Sequence, residues 1–325
     1  MHIPALYHPT QILLLDDDAE FINSLSLSLA DQFKCRLFTS PELAQQFLLD
    51  NHHWQQALRA KYVQMNEEEF SQFSVNIEIF NIHLEMFNPK RFERAGILVV
   101  DYDMPSMNGL EVARILRSKL PIKIILLTGE ADQNTAVEAF NQREIDRFLL
   151  KSHPDYHTQL VRYINELQQD YFAEISAAVL EPLIVQENHP LQDNHYRELF
   201  ENLKIKHQII EYYLLDDSGS FLMLNTNAEP TWLIARTPAD MALFYDMAAI
   251  ERKIPKKILA SLANKTKLIC LPPDSRVVPP FSDWFIQDAT SLSDGKIYYC
   301  VIVGWYGHNS LSQPITSYHT FLGGT

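Results

Sequence analysis

The stretch VVDYDMPSMNG, residues 99–109, decides the fold. It closes the apolar run ILVV (97–100), meets Asp101, turns at Asp103-Met104-Pro105, and starts a helix over about 108–118 at Asn108-Gly109. A short apolar run that ends on an acid and passes into a helix reads as a buried strand feeding a crossover. The pattern recurs on both sides. ILLL (12–15) runs into Asp16-Asp17-Asp18, and Asp18 caps a helix with Phe21, Leu25 and Leu29 on one face. CRLF (35–38) precedes Ser40-Pro41-Glu42, with proline at the first helical position. IKIILL (122–127) ends at Thr128, a helix follows near 132–142, and RFLL (147–150) ends at Lys151. Continuous apolar runs, rather than alternation, indicate strands buried on both faces of a parallel sheet. The expectation is an α/β fold with a flavodoxin-like, doubly wound, five-stranded parallel sheet.

In such a sheet the carboxyl ends of the strands converge on one crevice. Asp16, Asp17, Asp101, Thr128 and Lys151 all fall at those ends. Each has an ordinary role alone: a cap for an aspartate, a backbone bond for Thr128, a solvated strand end for Lys151. Together they have a different meaning. Adjacent acids repel unless a cation compensates, and Mg²⁺ prefers one or two carboxylates with waters and phosphate oxygens. A carboxylate nucleophile can accept a phosphoryl group as an acyl phosphate, and a lysine beside it supplies a counter-charge and a phosphate contact. The constellation predicts a Mg²⁺ and phosphoryl site.

The spacing of Asp16-Asp17, Asp101 within DYDMPSMNG, Thr128 and Lys151 resembles the receiver domain of bacterial two-component response regulators, over residues 11–155 apart from an insertion. The resemblance implies Asp101 as the phosphoacceptor from a sensor histidine kinase. It also implies Mg²⁺ bound by Asp16, Asp17, Asp101 and the backbone carbonyl of Asp103. Thr128 would bond a phosphoryl oxygen, Lys151 would pair with it, and Phe148 would be the switch aromatic. Asp103 and Glu130 sit where the family tunes the lifetime of the acyl phosphate. One departure is Ser152, where the family usually has proline after the lysine. Such a protein is a phosphoacceptor with self-catalysed transfer and autodephosphorylation, not an enzyme acting on another substrate.

The receiver is expected over 1–155, with a helical insertion at 50–95. Phe70, Phe73, Ile77, Phe80, Leu84 and Phe87 follow a 3-4-3-4-3 spacing, which predicts a helix covering its own domain or offering a partner surface. The alternation Val75-Ile77-Ile79 allows a strand instead. A long linker helix is expected over 156–181, with Leu160, Ile164, Leu167, Tyr171 and Ala178 near heptad spacing and Glu174 interrupting them. Its overhanging half, or the insertion, could pair two copies as a homodimer.

Residues 182–325 change character, with strands grouped apart from helices. This predicts a second, α+β domain with an antiparallel sheet. Ser218-Gly219 marks a hairpin, TWLIA (231–235) a strand, and Thr237-Pro238-Ala239-Asp240 the start of a helix near 238–250. A second helix follows Pro255, then strands at LICL (268–271) and KIYYCVIVGWY (296–306). Trp232, Trp284, Trp305, Tyr212, Tyr213, Tyr298 and Tyr299 read as core and sheet packing. No catalytic string of the cyclic-dinucleotide kinds appears, nor a basic recognition helix. The layout is also similar to a group of proteobacterial response regulators with an insertion before the phosphoacceptor strand, some of them placed in α-hydroxyketone quorum-sensing circuits.

Composition sets outer limits. The chain has 325 residues and a net charge of −14, which argues against a large nucleic-acid footprint. Residues 182–325 hold 12 Lys and Arg against 15 Asp and Glu, so about −11 falls on residues 1–181. Arg252, Lys253, Lys256, Lys257, Lys265 and Lys267 form a basic run, read as a solvated face, an anion site or, less well, a nucleic-acid contact. Cys35, Cys270 and Cys300 are too scattered for a disulfide framework. With no secretory pattern in MHIPALYHPT and no stretch near the ~20 apolar residues that span a bilayer, a cytoplasmic protein without membrane contact is expected. Three outputs compete: a phospho-switch acting by protein contact or dimerisation, one whose output binds a small ligand or nucleotide, and a nucleic-acid-binding regulator.

Overall fold

A computed structural model describes residues 3–50, 63–67, 73–77, 79–129, 133–184, 189–251, 254–271, 285–304 and 314–323. The chain begins with β1 (Leu6–Tyr7), β2 (Gln11–Leu15), α1 (Ala19–Leu29), β3 (Cys35–Phe38) and α2 (Pro41–Asp50). It continues with β4 (Val63–Glu67), β5 (Phe73–Ile77), a 3₁₀ helix over Ile79–Phe87 and β6 (Ala95–Asp101). Next come α3 (Gly109–Arg117), β7 (Lys123–Thr128), α4 (Gln133–Asn141), β8 (Arg147–Leu150) and the long α5 (Tyr156–Leu183).

Two compact units share the chain. One takes His8–Lys61, Lys90–Ile175 and Thr320–Thr325; the other takes Met1–Tyr7, Tyr62–Pro89 and Ser176–His319. The units interleave in sequence, which differs from the expected succession 1–155, 156–181, 182–325. Local pairing gives the reason: β1 is bonded antiparallel to β9 (Ile209–Leu214), Leu6 opposite Tyr213, so the first strand of the chain serves the second sheet.

In the first unit the parallel strands run in the order β3-β2-β6-β7-β8, the flavodoxin-like order. Alternate residues of each strand feed two cores. Leu13, Leu15, Leu98, Val100, Ile124 and Leu126 meet Ala44 and Leu48 of α2, Leu110, Ala113 and Leu116 of α3, and Ala136 and Ala139 of α4. Ile12, Leu14, Ile97, Val99, Ile125 and Leu127 meet Ile22, Leu25 and Leu29 of α1 and Leu160, Ile164 and Leu167 of α5. That two-sided burial is why the strands read as unbroken apolar runs. Each large side chain so buried contributes about 1.5–3 kcal/mol, so both layers hold the strand ends in place.

The helical seam expected over 70–87 is corrected. Phe73 and Ile77 lie in β5, which pairs antiparallel with β4, Val63 opposite Ile77. The alternation of β-branched Val75 and Ile77 prevails over the a/d spacing, and only Ile79–Phe87, with Phe80, Leu84 and Phe87, is helical, as a 3₁₀ helix. Phe70 lies outside the described residues. In α5, Leu160, Ile164 and Leu167 are fully buried against the parallel sheet, and Tyr171 is fully buried as well, while Ala178 in the later half is only partly buried. Glu174 interrupts the seam for a reason: its carboxylate takes the Lys123 ammonium at 2.6 Å.

The second unit adds α6 (Asn194–Lys206), β9, β10 (Phe221–Asn225), β11 (Pro230–Arg236), α7 (Pro238–Ile250) and α8 (Lys256–Ala263). β12 (Lys267–Cys270), β13 (Phe285–Asp288), β14 (Thr290–Leu292), β15 (Ile297–Val303) and α9 (Tyr318–Gly323) follow, with α9's first two residues in this unit. Its six-stranded sheet, β1-β9-β10-β11-β15-β14, is antiparallel at every pairing, and β12 pairs with β13. Gly219, at φ +88°, turns β9 into β10 where a side chain would be strained. Thr237 and Asp240 close a reciprocal capping box on α7. Trp232 is buried and donates its indole N–H to the Gly304 carbonyl, and Tyr212 stacks on Tyr7. Trp284, Trp305, Arg252 and Lys253 lie outside the described residues. Of the rest of the basic run, Lys267 pairs with Asp288 at 2.6 Å and Lys265 stands over the Tyr298 ring. No helix among the described residues is long and apolar enough to cross a membrane.

Candidate phosphoryl site

The ends of β2, β6 and β8 bring Asp16, Asp17, Asp101 and Lys151 together. Asp16 and Asp17 follow β2, and Asp16 is turned inward: its Oδ1 accepts the Asp18 N–H at 2.9 Å. Asp18 in turn accepts the Glu20 and Phe21 amides, so capping of α1 occupies only the third aspartate. Asp101 ends β6. Lys151, after β8, reaches across the crevice, with Nζ 2.8 Å from Asp16 Oδ2 and 2.8 Å from Asp101 Oδ1. Asp16 and Asp101 are both buried, at 2% and 5% exposure, while Asp17 and Asp103 are exposed. Ligand oxygens of Asp16, Asp17 and Asp101 lie within 4.8 Å of one another.

The electrostatics follow from that burial. Loss of solvent is the largest influence on Asp101 and lifts its carboxyl above the ordinary value; the Lys151 bond pulls it down and the Asp16 charge pushes it up again. Burial works against the Lys151 ammonium, yet its bonds to Asp101 and Asp16 hold it above the ordinary lysine value. Three carboxylates therefore face one ammonium, and that ammonium also stands 4.5 Å over the Phe21 ring. An all-oxygen donor set with surplus negative charge fits a hard divalent cation such as Mg²⁺.

Gly109 shows how closely α3 is set against the site. A Cβ there would fall 2.2 Å from the Asp101 carbonyl oxygen, and the Gly109 N–H donates to the Tyr102 carbonyl. Asn108 and Glu111 form a capping box that starts α3 at this point. Thr128 is fully buried, and its hydroxyl donates to the Gly129 carbonyl at 3.1 Å. Phe148 is half-buried, packs edge-on to Phe140, and borders a cavity of about 260 Å³ with Arg147, His153 and Tyr163. Glu130 lies outside the described residues. Sequence reasoning missed Phe21 as the aromatic partner of Lys151, and Tyr156, whose hydroxyl is buried without a hydrogen-bond partner.

A parallel sheet of this order, with carboxylates and a lysine at its strand ends, defines a receiver-type protein. The family model for the response regulator receiver domain matches residues 47–162, a span that holds Asp101, Thr128 and Lys151 but not Asp16 and Asp17. The solved structure of the Legionella pneumophila response regulator LqsR is 32% identical, covers 100% of this chain and 97% of its own, and has a TM-score of 0.77. The chain belongs to the response regulator family. An adenylate cyclase from Rhodopirellula baltica is 23% identical, covering 54% of this chain and 98% of its own at a TM-score of 0.37. A receiver domain protein from Clostridium thermocellum is 16% identical, covering 50% and 95% at 0.34. Neither of these two adds to the argument. Comparison with curated protein sequences gave no match.

Proposed function

We propose that a sensor histidine kinase passes a phosphoryl group to Asp101, and that the new charge switches the second unit by protein contact or dimerisation. The observation that supports this reading is the Lys151 ammonium held 2.8 Å from both Asp16 and Asp101, two buried carboxylates that one cation does not neutralise. An Asp101 oxygen forms the O–P bond as the P–N bond to the kinase imidazole breaks, and the leaving imidazole keeps that electron pair. Asp16, Asp17, Asp101 and the Asp103 backbone carbonyl would hold Mg²⁺, which supplies positive charge against the phosphoryl oxygens. Lys151 turns from bridging carboxylates to pairing with the phosphoryl group. The Thr128 hydroxyl exchanges its Gly129 partner for a phosphoryl oxygen, and Phe148 follows. The chain is itself the substrate, and no third molecule is transformed.

Beryllofluoride, a phosphoryl mimic, tests this in the full chain. With Mg²⁺ it is expected to raise the Tm of the wild type, to do nothing after chelation, and to do nothing to Asp101→Asn. A rise that persists in Asp101→Asn would overturn the assignment. Light scattering on the same samples reads dimerisation.

A further inference from the structure

Two of the three cysteines meet inside the second unit. Cys270 ends β12 and Cys300 lies within β15, in two different sheets, and their sulfurs are 3.6 Å apart. Strand alternation directs both side chains. Ile269 packs into a cluster with Ala248, Ile254 and Leu262, so its neighbour Cys270 points the other way. Cys300 stands opposite Ile234 in the ladder with β11. Both thiols are buried, Cys270 fully and Cys300 at 6% exposure, and neither is disulfide-bonded. Either alone would be a small apolar filler. In sulfur contact they have a further chemistry, because a second thiol is at hand when the first is oxidised.

A disulfide holds its sulfurs at about 2.05 Å, so about 1.5 Å of approach closes the pair. Cys270 is the last residue of β12, where the ladder constrains the chain least. The bond to Cys300, then burial, keep the Cys270 proton in place against the pull of the Arg236 guanidinium. Cys300, the more exposed sulfur, is therefore the one that meets an oxidant first.

We propose that Cys270 and Cys300 are an oxidisable dithiol, a modification site that a small peroxide-class oxidant closes to a disulfide, stapling β12 to the six-stranded sheet. The Cys300 thiol gives its proton to water, and the thiolate attacks the peroxide. An S–O bond forms, the O–O bond breaks, and the hydroxide that leaves recovers that proton as water. The Cys270 sulfur then attacks the sulfenic sulfur. The S–S bond forms, the S–O bond breaks, and the departing hydroxide takes the Cys270 proton as a second water. Two electrons pass from the thiols to the peroxide. The site stands apart from the phosphoryl cluster and requires nothing of it.

The test treats the folded full chain with hydrogen peroxide, then denatures it, alkylates remaining thiols and maps its peptides without reductant, with Cys300→Ala alongside. The expected result is an intramolecular link between the Cys270 and Cys300 peptides, opened by dithiothreitol, and neither thiol alkylated. The closed chain should melt roughly 5–10 °C higher, reversibly with dithiothreitol; Cys300→Ala should show no such rise. Both thiols still alkylated, under peroxide that oxidises them in the unfolded chain, would overturn the proposal. So would sulfinic or sulfonic acid in place of the link, or a link between two chains. A closed chain that melts no higher than the reduced one would overturn the staple.

Discussion

At the ends of β2, β6 and β8, three carboxylates face one ammonium. At the end of β11 the Arg236 guanidinium meets Asp216 at 2.7 Å, the Ser220 hydroxyl at 3.1 Å and the Ala235 carbonyl at 2.7 Å. Asp216 also accepts the Ser220 amide, and Ser220 Oγ accepts the Ala235 amide, so the second network closes on its own backbone. Both sites bury charge, which is costly unless paired. The Arg236 network pairs a cation with an anion and ties a turn to a strand. The Asp16–Asp101–Lys151 cluster keeps a surplus of negative charge at the open ends of strands. A charge deficit built into a rigid scaffold is what a cation and a phosphoryl group can complete.

Substitutions separate the two cases. Asp216→Ala strands a buried guanidinium and should cost about 3–5 kcal/mol, measured by denaturant unfolding, with no recovery on adding Mg²⁺. Lys151→Met leaves two buried carboxylates side by side. Its cost should be smaller, ~2–3 kcal/mol, because one carboxyl can take up a proton, and Mg²⁺ should restore much of it. Recovery of Asp216→Ala by Mg²⁺, or none for Lys151→Met, would break the comparison. Gly109→Ala forces α3 away from the Asp101 carbonyl and should cost about 1–3 kcal/mol, with weaker beryllofluoride binding.

Asp101→Asn has the smallest expected effect and the opposite sign. Removing one of the surplus charges should raise the Tm near neutral pH by about 2–4 °C, on the order of 1 kcal/mol. The pH dependence follows from the raised Asp101 carboxyl. A carboxyl that holds its proton more tightly folded than unfolded adds stability as the pH falls through its raised folded value, and loses that contribution above it. The wild-type Tm should therefore gain on Asp101→Asn as the pH drops through the range just above the ordinary aspartate value. A constant gap between the two melting profiles would remove the buried-carboxylate argument.

The first unit was readable because its signals agree. CRLF and RFLL form strands over the residues their sequence implies, and the second helix starts at Pro41, because short runs bounded by turn and cap residues leave little room for another reading. Asp16, Asp17, Asp101 and Lys151 were legible from position alone, as ends of such runs. Residues 73–77 were not, because their apolar positions satisfy a helical and a strand period together and pairing with β4 decides between them. β1 is two residues long and exists through its partner β9, which lies some two hundred residues away in sequence. α6 was passed over although Asp193 caps it and Tyr196, Phe200 and Leu203 follow at helical spacing. Tyr156 escaped notice because an unsatisfied hydroxyl is a property of packing, which no spacing reveals.

The central claim is that Asp101 carries the phosphoryl group. Its most direct measurement is incubation of the full chain with Mg²⁺ and acetyl phosphate, followed by mass spectrometry of the intact protein and of its peptides, with Asp101→Asn alongside. The account predicts a single base-labile phosphoryl group on the peptide containing Asp101, dependent on Mg²⁺ and absent from the variant. Label that persists in Asp101→Asn, or that maps to another residue, would contradict it.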